Sequence, residues 1–349
     1  MQKFNVSEKD KNFVVKTDID RKDIKFYEID ASPFSLHGIF KENGKYRRMP
    51  ELSAKGVSEG VYSLHTATAG GRVRFKTDSP YIAIHAEMHD VSKIPHMALT
   101  GTAGFDLYVN NLFFKAFTPP YDIENMYEGV IDLMGEGEKE IIINFPLYSG
   151  VKDLYVGLAE TASLKEAKPY KIEKPVVFYG SSITQGACAT RPGAAYPAIL
   201  SRKFDFDYIN LGFSGNARAE DAITDYIDGI DMSVFVLDYD HNSPSPEDLE
   251  ITQRKMYSQI RKNHPLIPII MMSRPNYMLN DDDKKRRDVV EKSYLDARAS
   301  GDKNVYFFDG AKLTELSVDS GSADSVHPND FGFASMAKAL EEAFNDMSL

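Results

Sequence analysis

The hydrophobic pattern of the chain changes character part-way along. Up to about residue 165 the apolar positions come in short alternating or β-branched runs, at 73–76, 81–86, 105–109, 140–145 and 153–158. Turn-forming pieces separate them: Gly70-Gly71, Asn110-Asn111 and Gly135-Glu136-Gly137. A period of two broken by Gly and Asn is the pattern of half-buried strands. No long amphipathic helix falls among them. Residues 1–165 are therefore expected to form an antiparallel β-sandwich of jelly-roll type.

The segment 163–174 is polar and lysine-rich and reads as a connector. Beyond it the rhythm becomes strand, turn, helix, with apolar runs at 175–179, 207–211, 233–238, 266–272 and 304–308. Ser245-Pro246-Glu247-Asp248 is a helix start, with a capping serine, a proline in the first turn and acids behind it. Val290, Tyr294 and Ala297 share one helical face, as do Phe333, Ala337, Leu340 and Phe344. Strands alternating with helices predict a parallel sheet covered on both faces over residues 174–349.

At 349 residues the chain exceeds the usual single-domain size, which agrees with two domains. The net charge of −11 argues against nucleic acid and against anionic membrane surfaces as partners. The basic run 284–287 directly follows three aspartates and reads as a solvated helix start matched to the helix dipole. Cys188 is the only cysteine, so no intrachain disulfide forms. The first residues are polar and charged, with no signal-peptide run. As written, the chain is expected in the cytoplasm; a trimmed secreted or periplasmic form would read the same.

The candidate chemistry gathers at loops that follow strands. The run 176–179 feeds Gly180-Ser181-Ser182-Ile183-Thr184-Gln185-Gly186, which leaves hydroxyls at the carboxyl edge of the sheet, where ligands bind in open α/β folds. It is neither a phosphate loop, since no lysine follows, nor a Gly-x-Ser-x-Gly elbow. Ser181 and Thr184 read equally well as helix caps. A serine nucleophile needs a base. Of the histidines in this half, His264 sits at an expected exposed helix end and His241 follows the third strand. His327 lies in Asp324-Ser325-Val326-His327, where a three-residue offset in a turn can hold a carboxylate against the imidazole. Oxyanion donors are available from Gly212 to Gly215 after the second strand and from Asn242 after the third.

Taken singly, each of these has an ordinary structural explanation. Their order along the chain resembles that of the SGNH, or GDSL-type, hydrolases over roughly 174–349. That resemblance implies a flavodoxin-like α/β fold, with Ser182 as nucleophile and Asp324 and His327 as acid and base. It implies an oxyanion hole from Ser182, Gly215 and Asn242. Ser181 stands where the family has the aspartate of Gly-Asp-Ser, and the third block reads Asp-His-Asn without the usual Gly-x-Asn-Asp. Gly104-Phe105-Asp106-Leu107-Tyr108 is similar to the Gly-x-Asp-Leu-Tyr signature of the β-sandwich that precedes some SGNH esterases.

The resemblance implies a serine esterase acting on small acyl esters, acetyl groups on carbohydrate being the plausible case, with no metal or organic cofactor. A lysophospholipase or thioesterase on the same fold is a second reading, disfavoured by the lack of an interfacial amphipathic helix. A non-catalytic carbohydrate-binding protein is a third. Arg191, Arg274, His241 and His96 are further candidates for substrate contact, and the loop from His89 to Gly104 for a wall of the pocket. His85, His89 and Asp90 have the residue types of a metal site but not the spacing.

Overall fold

The computed structural model describes residue 10, residues 14–15 and residues 18–347. In the N-terminal half two antiparallel sheets face each other. One has the order Ile24–Glu28, Gly150–Ala159, Tyr81–Asp90, Met126–Asp132. The other runs Leu164–Lys165, Arg72–Thr77, Lys139–Asn144, Phe105–Val109, Leu112–Phe117, and Ser35–His37 also pairs with Arg72–Thr77. The alternation seen in sequence is the reason they pack. Ile82, Ile84 and Ala86 from the first sheet meet Phe75, Leu107, Ile141 and Ile143 from the second in one core. This is the expected sandwich.

The C-terminal half holds a five-stranded parallel sheet in the order Phe206–Gly212, Ile172–Gly180, Val234–Asp238, Ile269–Met272, Val305–Phe308. Successive side chains point to opposite faces. Val176 and Phe178 join Leu200, Phe333, Leu340 and Phe344 on one side. Val177 and Tyr179 join Ile223, Leu249, Ile260 and Val290 on the other. Both faces are covered, which is why the strands read as unbroken apolar runs. The first strand of this sheet lies between the second and third, so the carboxyl ends of these three strands form the switch point where doubly wound sheets bind ligands.

The two halves are closely joined. The short helices Glu51–Val57 and Glu59–Leu64 carry Ala54 and Val61 into the same apolar cluster as Val177 and Tyr179. The buried Arg48 donates to the carbonyls of Gly212 (2.6 Å), Asn210 (3.2 Å) and Leu64 (2.8 Å). The connector is more structured than its composition suggested: Leu164–Lys165 extends a sandwich sheet and Tyr170 is buried.

The run 281–287 also departs from the solvated reading. Asn280 caps the helix Asp281–Ala299 through a capping box, as a dipole-matched start should, but Asp283 and Arg286 are buried. His264 is half-buried as well, its Nε2 2.8 Å from the carbonyl of Asp228. Among the described residues no helix is long and apolar enough to cross a membrane.

Candidate active site

Strand Ile172–Gly180 ends in a tight turn fixed on both sides. Ser181 N–H donates to Asp238 O (3.0 Å), and Phe213 N–H donates to Gly180 O (2.8 Å). Ser181 is the cap of the short helix Ser182–Gln185, its hydroxyl accepting the N–H of Ile183 (3.1 Å). Ser182 opens that helix and is 6% exposed. Its Oγ stands 2.9 Å from His327 Nε2.

His327 comes from the loop before the last helix, Asp330–Asp346. Asp324 turns back on this loop, accepting the N–H groups of Val326 (3.0 Å) and His327 (2.7 Å) while its Oδ2 meets His327 Nδ1 at 2.7 Å. Partial burial acts to raise the pKa of Asp324, but these bonds outweigh it and hold the carboxyl below the usual range. A carboxylate on Nδ1 keeps the proton there and directs the free lone pair of Nε2 at Ser182. Such a chain can draw a proton from a serine hydroxyl.

Three loops carry the residues expected as oxyanion donors. The Ser182 N–H is the first of its helix, where no carbonyl of that helix can take it. Gly215 sits in the left-handed region at φ 70°, between Ser214 N–H, which donates to Gln185 Oε1 (3.1 Å), and Asn216 N–H, which donates to Phe213 O (2.8 Å). Asn242 closes the short turn Asp240–Asn242, and its amide oxygen accepts Ala217 N–H (3.4 Å), while its NH2 makes no hydrogen bond among the described residues. Beneath that turn Arg286 Nη1 donates to the carbonyls of Asp240 and Ser243, each at 2.8 Å. Sequence reasoning missed Arg286 and Gln185; neither has a local signal, since their partners lie far along the chain.

Asp238 lies under the serine turn, fully buried. Its Oδ2 accepts the hydroxyls of Thr184 (2.8 Å) and Tyr196 (3.3 Å). Burial pushes its pKa up to about 7, against the opposing effects of His241 and the bond from Thr184.

The remaining candidates are placed as follows. His96 reaches over from the sandwich, its Nε2 3.5 Å from Asp324 Oδ2 and its ring centroid 6.2 Å from that of His327. Thr100 Oγ1, on the same loop, donates to Thr190 O (2.6 Å). Arg191 lies over the Phe113 ring at 4.0 Å, with Nη1 3.4 Å from Asp330 and Nε 3.9 Å from Asp106. Arg274 is paired with Asp283 (3.1 Å), and His241 with Asp240 (3.1 Å). These three are tied to protein partners at the rim of the switch point.

His85 faces Glu128 (2.7 Å) while His89 faces Lys45 (3.0 Å), so the sandwich histidines diverge. A different set comes together: one donor atom each of His96, Cys188, Asp324 and His327 lie within 4.8 Å of one another. Burial pushes the Cys188 thiol up to about 11. A metal ion on this set would compete with Ser182 for His327.

Residues 173–345 match the model of the GDSL-like lipase/acylhydrolase family, and residues 24–164 match the GxDLY domain, the N-terminus of SGNH-hydrolase-type esterases. A solved structure from Bacteroides ovatus, assigned as a GDSL-like lipase, is 30% identical, with a TM-score of 0.81 over 92% of this chain and 98% of that one. The chain belongs to the GDSL-like lipase/acylhydrolase family. It is a carboxylic ester hydrolase. The hydrolase also shares its fold with SsfX3, the salicylyl-acyltransferase of a tetracycline biosynthetic pathway (21% identity, TM-score 0.76, 93% and 98% of the two chains). A family two carbohydrate esterase from Clostridium thermocellum, solved with cellohexaose, is 15% identical with a TM-score of 0.62 over 90% and 98%. No curated protein matches the sequence.

Proposed function

We propose that the hydrolase removes acetyl or similarly small acyl groups from carbohydrate esters, with Ser182, His327 and Asp324 as its triad. The observation that carries this reading is the unbroken chain from Ser182 Oγ through His327 (2.9 Å) to Asp324 (2.7 Å) at the carboxyl edge of the sheet. His327 Nε2 takes the hydroxyl proton as Ser182 Oγ attacks the ester carbonyl. The negative oxygen is met by the N–H groups of Ser182 and Gly215 and by the Asn242 NH2. Collapse expels the alcohol, which receives the proton from His327 and leaves the acyl group on Ser182. Water, deprotonated by His327, then releases the acid and restores the serine.

The sugar leaving group is suggested by the carbohydrate esterases that share this fold. We place the division between the domains in the connector, with the accessory sandwich over 1–165 and the hydrolase domain over 174–349. His96, extended from the sandwich to Asp324, is then a wall of the substrate pocket and not a part of the sandwich core. The test is acetate release from a panel of acetylated oligosaccharides by the wild type and by Ser182→Ala. Release by both alike would refute the reading. Release from p-nitrophenyl acetate but from no acetylated sugar would keep the triad and remove the sugar.

A further inference from the structure

A cavity of about 420 Å3 opens between the domains, beside the amino end of strand Phe206–Gly212 and so away from Ser182. Arg72 and Arg74 are two residues apart on strand Arg72–Thr77, so their side chains share a face, and both line it. Arg72 is fully engaged: Nε donates to Tyr170 OH (2.7 Å), Nη1 to Gly70 O (2.7 Å), and Nη2 pairs with Asp207. Arg74 is not. It is only 6% exposed, its Nε is buried without a partner, and it makes no side-chain hydrogen bond or ion pair among the described residues.

Arg74 has one contact of note, the Tyr170 ring, whose centroid lies 3.8 Å from the guanidinium carbon. An aromatic face attracts the flat of a guanidinium but leaves the N–H edges unmet. A buried charge in that state calls for a counter-charge. The other walls add to the need. Arg202 donates to Gly193 O (2.7 Å) and lies over the Tyr108 ring, with no carboxylate partner among the described residues, and Lys168 has none either. Two carboxylates also border the space: Glu140, 3.7 Å from Lys76, and the exposed Asp205. With Arg72 neutralised by Asp207, the groups left around the cavity still favour an anion.

We propose that this cavity binds a small oxyanion, a phosphate or carboxylate group carried on a compact polar body, at a site separate from the acyl site. The free edge of Arg74 can grip two oxygens of such a group in parallel. A volume of about 420 Å3 is in the range of small-molecule sites and leaves room for a sugar-sized body behind the anion.

The full-length protein is melted in inorganic phosphate, glucose 6-phosphate and glucuronate, each against sodium chloride of equal ionic strength. A ligand of the native state raises Tm with the logarithm of its concentration. At least one oxyanion should do so, with the same shift in Ser182→Ala, since the acyl site is not involved. Calorimetry should then show the Kd raised roughly tenfold or more in Arg74→Met, and less in Arg74→Lys, which keeps the charge but loses the paired N–H edge. A shift with phosphates alone assigns a phosphoryl ligand, and with glucuronate alone a sugar acid. Should Arg74→Met not fold, Arg202→Met on the opposite wall must weaken binding instead. The proposal fails if no oxyanion exceeds chloride, if the shift disappears in Ser182→Ala, or if both wall variants bind as the wild type does.

Discussion

Asp106 of the sandwich accepts the backbone N–H of Gly193 in the hydrolase domain at 2.8 Å, and its other oxygen accepts Asn144 Nδ2 at 2.7 Å. Its burial is complete. The Tyr108 ring, from the same motif, packs so closely on Gly193 that a Cβ there would come within 2.5 Å of it. The Gly-x-Asp-Leu-Tyr sequence therefore clamps the turn that follows the Ser182 helix. Asp106→Ala strands two buried donors, each of which costs about 1–3 kcal/mol when unmet. A clear fall in Tm is expected, with a loss of esterase rate because the turn loosens. Unchanged melting and kinetics would show that the clamp is idle.

Ser182→Ala should remove nearly all turnover while leaving the fold intact. Ser181→Ala should do the reverse, retaining most activity and losing about 1 kcal/mol of stability as a removed helix cap. Rates on p-nitrophenyl acetate with parallel melting curves separate the two. Turnover persisting in Ser182→Ala would reassign the nucleophile.

The parts of the site legible in sequence are those whose geometry is local. Asp324 and His327 are three residues apart and bond within one turn, and Ser181 and Ser182 belong to a strand-to-helix turn. The sandwich and the parallel sheet were legible because alternation and unbroken apolar runs record which faces are buried. Arg286 was not. It sits in a run of charges that periodicity treats as solvent-facing, yet it bonds Asp240 across 46 positions of sequence. Asp106 was visible as a motif, but its partner lies 87 positions away, so its clamping action was not. Burial of a charged side chain depends on such distant partners, and no local pattern announces it.

Asn242 and Arg286 make a paired prediction about the oxyanion. Removing one donor from such a hole costs on the order of 10²–10³ in kcat, so Asn242→Ala should lose that much with KM little changed. Arg286→Met leaves Asn242 in place but takes away the bonds to Asp240 O and Ser243 O that hold its turn. It should lower kcat by a smaller factor, again with KM nearly constant. A variant of Arg286 that melts earlier yet keeps its full kcat would show that the residue supports stability alone.

Asp238 provides a test that reads pH. Its carboxyl is raised by burial to about 7, while an aspartate in the unfolded chain keeps its ordinary value of 3.8. Between those values the folded state holds a proton that the unfolded state has released, so unfolding becomes easier as pH rises. The penalty is absent below about 4, grows through the window and is complete above about 7, with a slope of at most about 1.4 kcal/mol per pH unit. Asp238→Asn cannot ionise and can still bond the Thr184 and Tyr196 hydroxyls. Any loss of packing it causes is independent of pH, whereas its stability relative to wild type should improve steadily from pH 4 to 7 and level off on either side. Chemical denaturation of both proteins across that range measures the difference directly. A difference that stays flat would mean that Asp238 is already ionised beneath the serine turn, and that Thr184 and Tyr196 suffice to hold its charge.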